Sequence, residues 1–402
     1  MGRIGFYYAH YECLGHTSRL LSLLRVLKKR ISSDFYFIQA SLPHSYLRFP
    51  SYVKILPLPF SLFTRRSFYG DYEVNKEVLL KRAIFLSNLV KKIDFSVFIT
   101  EFFPLGRNLC KYELLPVLSD FKKKGKPIFS SAGYPVISKK SIADFETFVH
   151  FYKKIFIHSP KEEMFYISEL YKNKIEREKY LNIFEKYSHK IVFTGYLLPS
   201  KLKFKEPVKL NFKQNKIKVL VTRGGGAYYP KIISCAIKAS DLLNEKFHFI
   251  IVAGPSTSQK EWRYFCSLFS KKVVKNASLV KYASNLKDLL RESHVCISTG
   301  SYNTCVAIIY FKKRAILIPF KGYKKNGDYK EQIARAKLLR DIMGVSVLDY
   351  FSLTPLKLKK EIEKSLIYSM SEKAVSINKE WFCDEELFLK EFLSFLDKDL
   401  LK

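Results

Sequence analysis

Residues 294–320, HVCISTGSYNTCVAIIYFKKRAILIPF, leave little freedom in the choice of fold. An apolar strand runs into Thr299-Gly300-Ser301-Tyr302-Asn303-Thr304, an apolar helix follows, and a second strand ends at Pro319. Strand, turn, helix and strand in succession are the unit of an α/β domain with a parallel sheet. A small-residue turn leading into a helix also presents backbone N–H groups and a helix dipole to an anion. Gln332 and Arg335, a little further on, are placed to reach the same pocket.

The same alternation runs through the rest of the chain. Apolar runs predict strands at Ile4–Ala9, Phe35–Gln39, Val53–Leu56, Ser96–Thr100, Pro127–Ser130, Lys154–Ile157 and Ile191–Thr194. Helical patterns lie between them at Ser18–Lys29, Glu77–Lys92 and Leu114–Lys124. Residues 199–215 change character: they are Lys-rich, hold two prolines and keep no period, as a linker does. Strands then resume at Ile217–Thr222, Phe247–Ala253, Ser278–Tyr282, Val295–Ser298 and Ala315–Pro319. The expected organisation is an N-terminal doubly wound α/β domain over 1–198, a linker at 199–215, a second Rossmann-like domain over 216–384, and an amphipathic closing helix over 385–402. A chain of 402 residues, 48% hydrophobic, has the length and the apolar content for two such cores.

The seven cysteines, at 13, 110, 235, 266, 296, 305 and 383, are scattered and form no C-x-x-C pair. They predict buried thiols in a reducing cytosol, with neither a zinc site nor a disulfide framework. The chain enters a strand at once, so no signal peptide is read, and no stretch reaches the ~18 apolar residues of a membrane span. The expectation is a cytoplasmic protein, soluble or peripheral on the inner face of a membrane. A net charge of +33 attracts polyanions. The lysines run along the whole chain beside abundant Ile, Phe, Tyr and Asn, which reads as low-GC coding bias ahead of a dedicated polyanion site. No zinc-finger spacing, aromatic RNA-binding pair or basic arm accompanies the charge, so nucleic acid is not an expected partner.

Three loops carry candidate chemistry. Thr222-Arg223-Gly224-Gly225-Gly226 follows a strand and precedes a helix opened by Pro230. Its glycines let a phosphate approach the backbone, and Arg223 can add a charge-assisted contact. His10–His16 forms the loop after the first strand, with Gly15 for a tight turn and Thr17 or Ser18 to cap the helix. By residue type alone, His16 reads as an exposed histidine in a capping loop. At the end of another strand, Thr100-Glu101-Phe102-Phe103-Pro104-Leu105-Gly106-Arg107 combines a carboxylate, a proline turn and an arginine. A loop ion pair between Glu101 and Arg107 competes there with a catalytic role.

These strings resemble GT-B glycosyltransferases related to family 28. The Gly300–Thr304 turn is similar to that family's G-G-Y-N-T-type turn, and Gln332-x-x-Arg335-Ala336 to its Q-x-x-R-A element. The first loop, with Gly15-His16-x-x-Arg19, is similar to the opening of a group within it. Thr100-Glu101-x-Phe103-Pro104-x-Gly106-Arg107 and Val192–Tyr196 match that group again. The resemblance runs from about Ile4 to about Leu348. It implies two Rossmann-like domains facing a cleft and a nucleoside-diphosphate sugar held by the C-terminal domain. Arg223, Gly224, Gly225, Gly226, Gly300, Ser301, Tyr302, Asn303, Thr304, Gln332 and Arg335 would contact that donor. His16 and Glu101 would be catalytic, with Gly15, Arg19 and Arg107 on the acceptor side. The implied reaction is hexosyl transfer to a glycan or lipid-linked hydroxyl, in cell-surface glycan or glycolipid synthesis, without metal or cofactor. An anionic membrane surface is a candidate partner.

The sequence departs from the family at Ala307, where relatives carry a glutamate on ribose hydroxyls; alanine does not replace that contact. Asp397-x-Asp399 reads as a solvated helix face and not as a metal site. Two other readings stay open at this stage: a nucleotide-sugar hydrolase or epimerase on the same fold, and a non-catalytic relative that binds the nucleotide-sugar.

Overall fold

A computed structural model describes residues 2–8, 14–40, 47–59, 76–135, 137, 139–171, 173–224, 229–270, 276–320, 330–367 and 379–401. The described residues build two parallel sheets. The first holds β1 (Gly2–Tyr8), β2 (Ser33–Gln39), β4 (Val53–Pro57), β5 (Val97–Glu101), β6 (Ile128–Ala132), β7 (Lys154–Ile157) and β8 (Ile191–Phe193), in the order β4-β2-β1-β5-β6-β7-β8. The second holds β10 (Ile217–Thr222), β11 (Phe247–Val252), β12 (Ala277–Val280), β13 (Val295–Ser298), β14 (Arg314–Leu317) and β15 (Ser346–Val347), in the order β12-β11-β10-β13-β14-β15. In both, strand order reverses beside the first strand: between β1 and β5, and between β10 and β13. Ligands of open α/β sheets bind outside the strand ends at such a reversal.

The strands form where apolar residues can be buried on both faces. In β1, Ile4, Phe6 and Tyr8 face one core and Tyr7 the other, which is why the run reads as continuous rather than alternating. Gly5 makes room: a Cβ there would stand 3.2 Å from the Phe98 ring and 3.3 Å from that of Phe95. One face is covered by α1 (Leu14–Leu27), which buries Leu20, Leu23, Leu24 and Leu27. The other is covered by α2 (Lys76–Ile93) and α3 (Lys111–Lys123), which pack on each other. Further along come α4 (Lys139–Phe148), α5 (Glu162–Ser168) and α6 (Lys174–Lys186). The second sheet is flanked by α7 (Pro230–Leu242), α8 (Gln259–Ser270), α9 (Leu286–Glu292), α10 (Tyr302–Tyr310), α11 (Lys330–Met343) and α12 (Pro355–Ile367).

The segment expected as the linker is tied to both domains. Its β9 (Lys203–Phe204) pairs antiparallel with β3 (Leu47–Arg48), Phe204 stacks on Tyr282 at 4.7 Å, and Ser200 N–H donates to Ser22 Oγ at 2.8 Å. The chain crosses between the sheets a second time at Trp381–Asp384. The two crossings pair: Tyr196 N–H donates to Trp381 O and Cys383 N–H to Tyr196 O, at 2.8 and 2.9 Å. Gly195, at φ +77°, belongs here because a Cβ would stand 2.6 Å from Phe382 O.

After that crossing α13 (Glu385–Leu393) returns to the first sheet, capped by the Asp384 side chain on two backbone N–H groups. The helix ends at Leu393 and not at Leu400; Lys398–Leu400 is a separate 3₁₀ turn. Asp397 therefore precedes this turn and Asp399 lies within it, and neither belongs to the α13 helix. Phe392 meets Phe129 at 4.4 Å and Phe388 meets Phe156 at 4.8 Å. Phe392→Ala should lower stability by about 3–5 kcal/mol, read as an earlier denaturant or thermal midpoint. A shift of a few tenths would mean that α13 merely rests on the sheet.

Candidate functional site

His16, Arg19 and Glu101 converge at the reversal of the first sheet. Helix α1 begins at Leu14, so His16 lies in its first turn rather than in a loop. Thr17 and Ser18, expected as caps, sit inside the helix and are buried; Ser18 Oγ donates to Ser200 O. Gly15 has no positive φ to demand glycine, and its carbonyl accepts from Asn303 Nδ2 at 3.2 Å.

Glu101 ends β5 with no exposed side-chain area. Its Oε1 lies 2.5 Å from His16 Nδ1 and accepts from Arg19 Nη2. Burial alone would raise the carboxyl, but His16 and Arg19 override it, and the group titrates below the usual glutamate range. His16 is 14% exposed, and burial lowers its pKa against the opposing pull of Glu101. Its other nitrogen, Nε2, lies 3.3 Å from Arg107 Nη2. The loop ion pair expected between Glu101 and Arg107 is replaced by this chain of contacts, with His16 between the two. Arg107 sits in a left-handed backbone at φ 63°, as does Phe102 at φ 64°. These sparsely populated conformations persist where packing over-determines them.

Arg19 is 2% exposed. Besides Glu101 it faces the Phe102 and Tyr302 rings at 5.1 and 5.7 Å. Gly133 makes room for it, since a Cβ there would stand 2.5 Å from Arg19 Nη1. Arg19 thus holds the carboxylate and lies beneath the site.

Two glycine loops meet at the reversal of the second sheet. Gly224 (φ +74°) follows β10, and Gly300 (φ +78°) follows β13; a Cβ on Gly224 would stand 3.3 Å from Ser301 Oγ. Gly225 and Gly226 lie outside the described residues. Neither following helix has a side-chain cap at its start: Tyr229 precedes α7 and Ser301 precedes α10, without a cap hydrogen bond. The Ser301 hydroxyl donates instead to Thr304 Oγ1. Two helix starts without a side-chain cap favour an anion here. Gln332 Oε1 accepts from Tyr229 OH at 2.7 Å, which leaves the amide NH₂ to donate elsewhere. Ala307 is buried in α10.

Two arginines expected on the donor are committed to the protein. Arg223, 2% exposed, donates to Ala253 O, to Thr257 Oγ1 at 2.7 Å and to Glu261 Oε1 at 3.4 Å. Arg335 has no exposed area; it donates to Glu163 Oε1 at 2.7 Å and to Gly300 O at 3.1 Å. Tyr302 also turns to the first domain, donating to His158 O at 2.6 Å and accepting from Leu197 N–H at 3.1 Å. Glu163 and His158 escaped the sequence reading: one lies on a seven-residue helix, the other at a strand end without a recognisable string. Among the described residues no group of three or more His, Cys, Asp or Glu side chains could hold a metal ion.

With this geometry in view, residues 219–386 match the model of the glycosyltransferase family 28 C-terminal domain. The whole chain aligns with MurG of Acinetobacter baumannii at 12% identity and TM-score 0.58, covering 98% of this chain and 99% of that one. It aligns with UGT2 of Phytolacca americana, solved with UDP-2-fluoro-glucose and pterostilbene, at 11% identity and TM-score 0.60, covering 98% and 99%. It aligns with Os79 of O. sativa, solved with UDP, at 11% identity and TM-score 0.63, covering 97% and 99%. No curated protein matches the chain in sequence. The fold is therefore GT-B, and its C-terminal domain relates it to family 28.

Arg223→Ala should cost about 1–3 kcal/mol without any ligand, because Ala253 O, Thr257 and Glu261 lose their buried donor. An unchanged melting temperature in the absence of nucleotide would return Arg223 to the ligand.

Proposed function

We propose that the protein transfers a glycosyl group from a nucleoside-diphosphate sugar to a hydroxyl acceptor, with His16 as general base. The contact between Asn303 and Gly15 carries this reading. It joins the first turn of α10, where a diphosphate would lie, to the residue before His16. The two strand reversals thus form one cleft with an anion site on one wall and a histidine–carboxylate pair on the other. The UDP complexes of the structural neighbours supply the class of donor.

The chemistry follows from the pair. Ionised Glu101 accepts the Nδ1–H of His16 and fixes the tautomer, so Nε2 keeps its lone pair, which the acceptor hydroxyl takes over from Arg107 Nη2. Nε2 takes the proton of the acceptor hydroxyl as that oxygen bonds to the anomeric carbon. The bond from that carbon to the diphosphate breaks, and the negative charge departs with the nucleotide. Backbone N–H groups of Gly224, Gly225, Gly226 and the Gly300–Thr304 turn receive that charge at the starts of α7 and α10. No bound metal is needed in this scheme, so turnover should survive a chelator. The amide NH₂ of Gln332 holds the donor sugar. Arg223, Arg335 and Arg19 act as scaffold.

The acceptor is proposed to be a glycan or lipid-linked hydroxyl presented at an anionic membrane. Leu80, Ile84, Tyr112 and Leu115 are 62%, 54%, 54% and 44% exposed on the neighbouring helices α2 and α3. Lys81 is exposed beside Leu80, and Lys91, Lys92, Lys122 and Lys123 are exposed in the last turns of the same helices. None of the described helices is long and apolar enough to cross a membrane. Flotation with anionic vesicles should carry the protein at low salt and release it within a few hundred millimolar, as screening shortens the Debye length. Protein that stays with the soluble fraction at low salt points to a soluble acceptor.

A panel of nucleotide-sugars, with and without an acceptor extract, tests the activity: transfer needs both, whereas hydrolysis or epimerisation needs the donor alone. His16→Ala should lower kcat by at least ~100-fold while leaving nucleoside-diphosphate Kd nearly unchanged. The base must be neutral, and burial holds the His16 pKa below 6.5. Activity should therefore persist as pH falls through 6.5 and be lost only below it. Glu101→Gln removes the charge that raises His16, so the acid limb should move lower still while kcat falls. A limb at or above the ordinary imidazole value contradicts the assignment.

A further inference from the structure

The Gly300 turn is held from the opposite domain. The planar guanidinium of Arg335 spans two acceptors at once, Glu163 Oε1 on α5 and the Gly300 carbonyl. It lies between aromatic faces, 5.4 Å from the Tyr134 ring and 5.6 Å from that of Tyr302. The second oxygen of Glu163 accepts from Tyr196 OH at 3.0 Å, so the carboxylate is satisfied on both sides. Tyr196 itself belongs to the paired crossings that join the domains. Helix α11, which carries Arg335, packs along α5. On the far side of the turn, Tyr302 is tied to His158 O and Leu197 N–H.

We propose that Arg335 is a positioning residue through which Glu163 of the N-terminal domain holds the donor-binding turn of the C-terminal domain. The inference rests on the nucleotide-sugar reading above. A peptide unit is planar, so the direction of the Gly300 carbonyl dictates the direction of the Ser301 N–H. By fixing the first, Arg335 aims the second, and with it the entry to α10. The ion pair is fully enclosed, so removing either partner leaves the other charge buried and uncompensated, and the turn loses its reference. Donor affinity then depends on Glu163, a residue in the other domain, remote in sequence from either glycine loop and outside the proposed contacts with the donor. The coupling is reciprocal: nucleotide on the turn also favours the domain arrangement in which the pair is made.

The test uses the full-length protein and the variants Glu163→Gln and Arg335→Lys. Lysine keeps the charge, but its single ammonium does not reproduce the two-pronged span. Hydrogen–deuterium exchange of the Ser301–Asn303 amides, without ligand, should be faster in both. The Kd for UDP or dTDP should rise ~5-fold or more, with donor KM rising more than kcat falls. Phe392→Ala, which loosens the first domain away from the turn, serves as the control and should leave Kd and exchange at the turn unchanged. Unaltered exchange and Kd in both variants would overturn the proposal. Should Glu163→Gln fail to fold, Arg335→Lys decides alone. If the unmodified protein binds neither nucleotide, the nucleotide reading falls, and exchange at the turn still decides whether the latch exists.

Discussion

A carboxylate with no route to water has to be neutralised within the protein, and at Glu101 that requirement organises the N-terminal half of the cleft. Arg19 supplies a permanent cation and His16 a donor, both from the first two turns of α1. For both to reach Oε1, α1 has to begin as early as Leu14. Arg19 in turn needs the bare backbone of Gly133 and packs its guanidinium over Phe102 and Tyr302. Tyr302 belongs to the other domain, so the neutralisation of one buried charge extends across the cleft. Burial draws the His16 pKa down, with Nδ1 on Glu101 and Nε2 beside Arg107 Nη2.

In the proposed reading, the second half of the cleft relies on backbone geometry rather than on Arg223 and Arg335, which are engaged with the protein. Gly224 and Gly300 adopt left-handed backbones that bring two loops into contact, and the helices after them start uncapped. Dipoles and amides would then be the anion-binding equipment of the proposed donor site, with Arg223 and Arg335 bonded to the protein beside it. Such a site stays weakly charged when empty and costs little desolvation. It depends instead on backbone geometry, which explains why so many buried polar contacts converge on the loops: Arg223 on the segment after β11, Arg335 on Gly300, Tyr302 on His158 O.

Much of this could be read from residues alone, and for physical reasons. Central parallel strands bury both faces, so they stand out as short apolar runs; Lys154–Ile157, Ile217–Thr222 and Val295–Ser298 have the observed limits. The alternation implies doubly wound α/β domains, and GT-B enters only through the resemblance of the strings at the strand ends. Gly15 and Thr17-Ser18 look like a turn and a cap, whereas in the structure they lie within α1, Ser18 on Ser200 and Gly15 on Asn303. Motif spacing locates Arg223 and Arg335 near a pocket without saying which way their side chains turn. Glu163, on a helix of seven residues, has no periodic signature at all. Its partner lies 172 positions away, a distance over which local patterns carry no information.

The claim on which everything else rests is that a nucleoside diphosphate lies across the two glycine loops of the C-terminal domain, beside His16. Amide hydrogen exchange with and without saturating UDP, repeated with dTDP, addresses it residue by residue. The account predicts protection at residues 222–226 and 300–305, with the Leu20–Leu27 stretch of α1 left as it was. Protection confined to the N-terminal sheet, or none with either nucleotide, would contradict it.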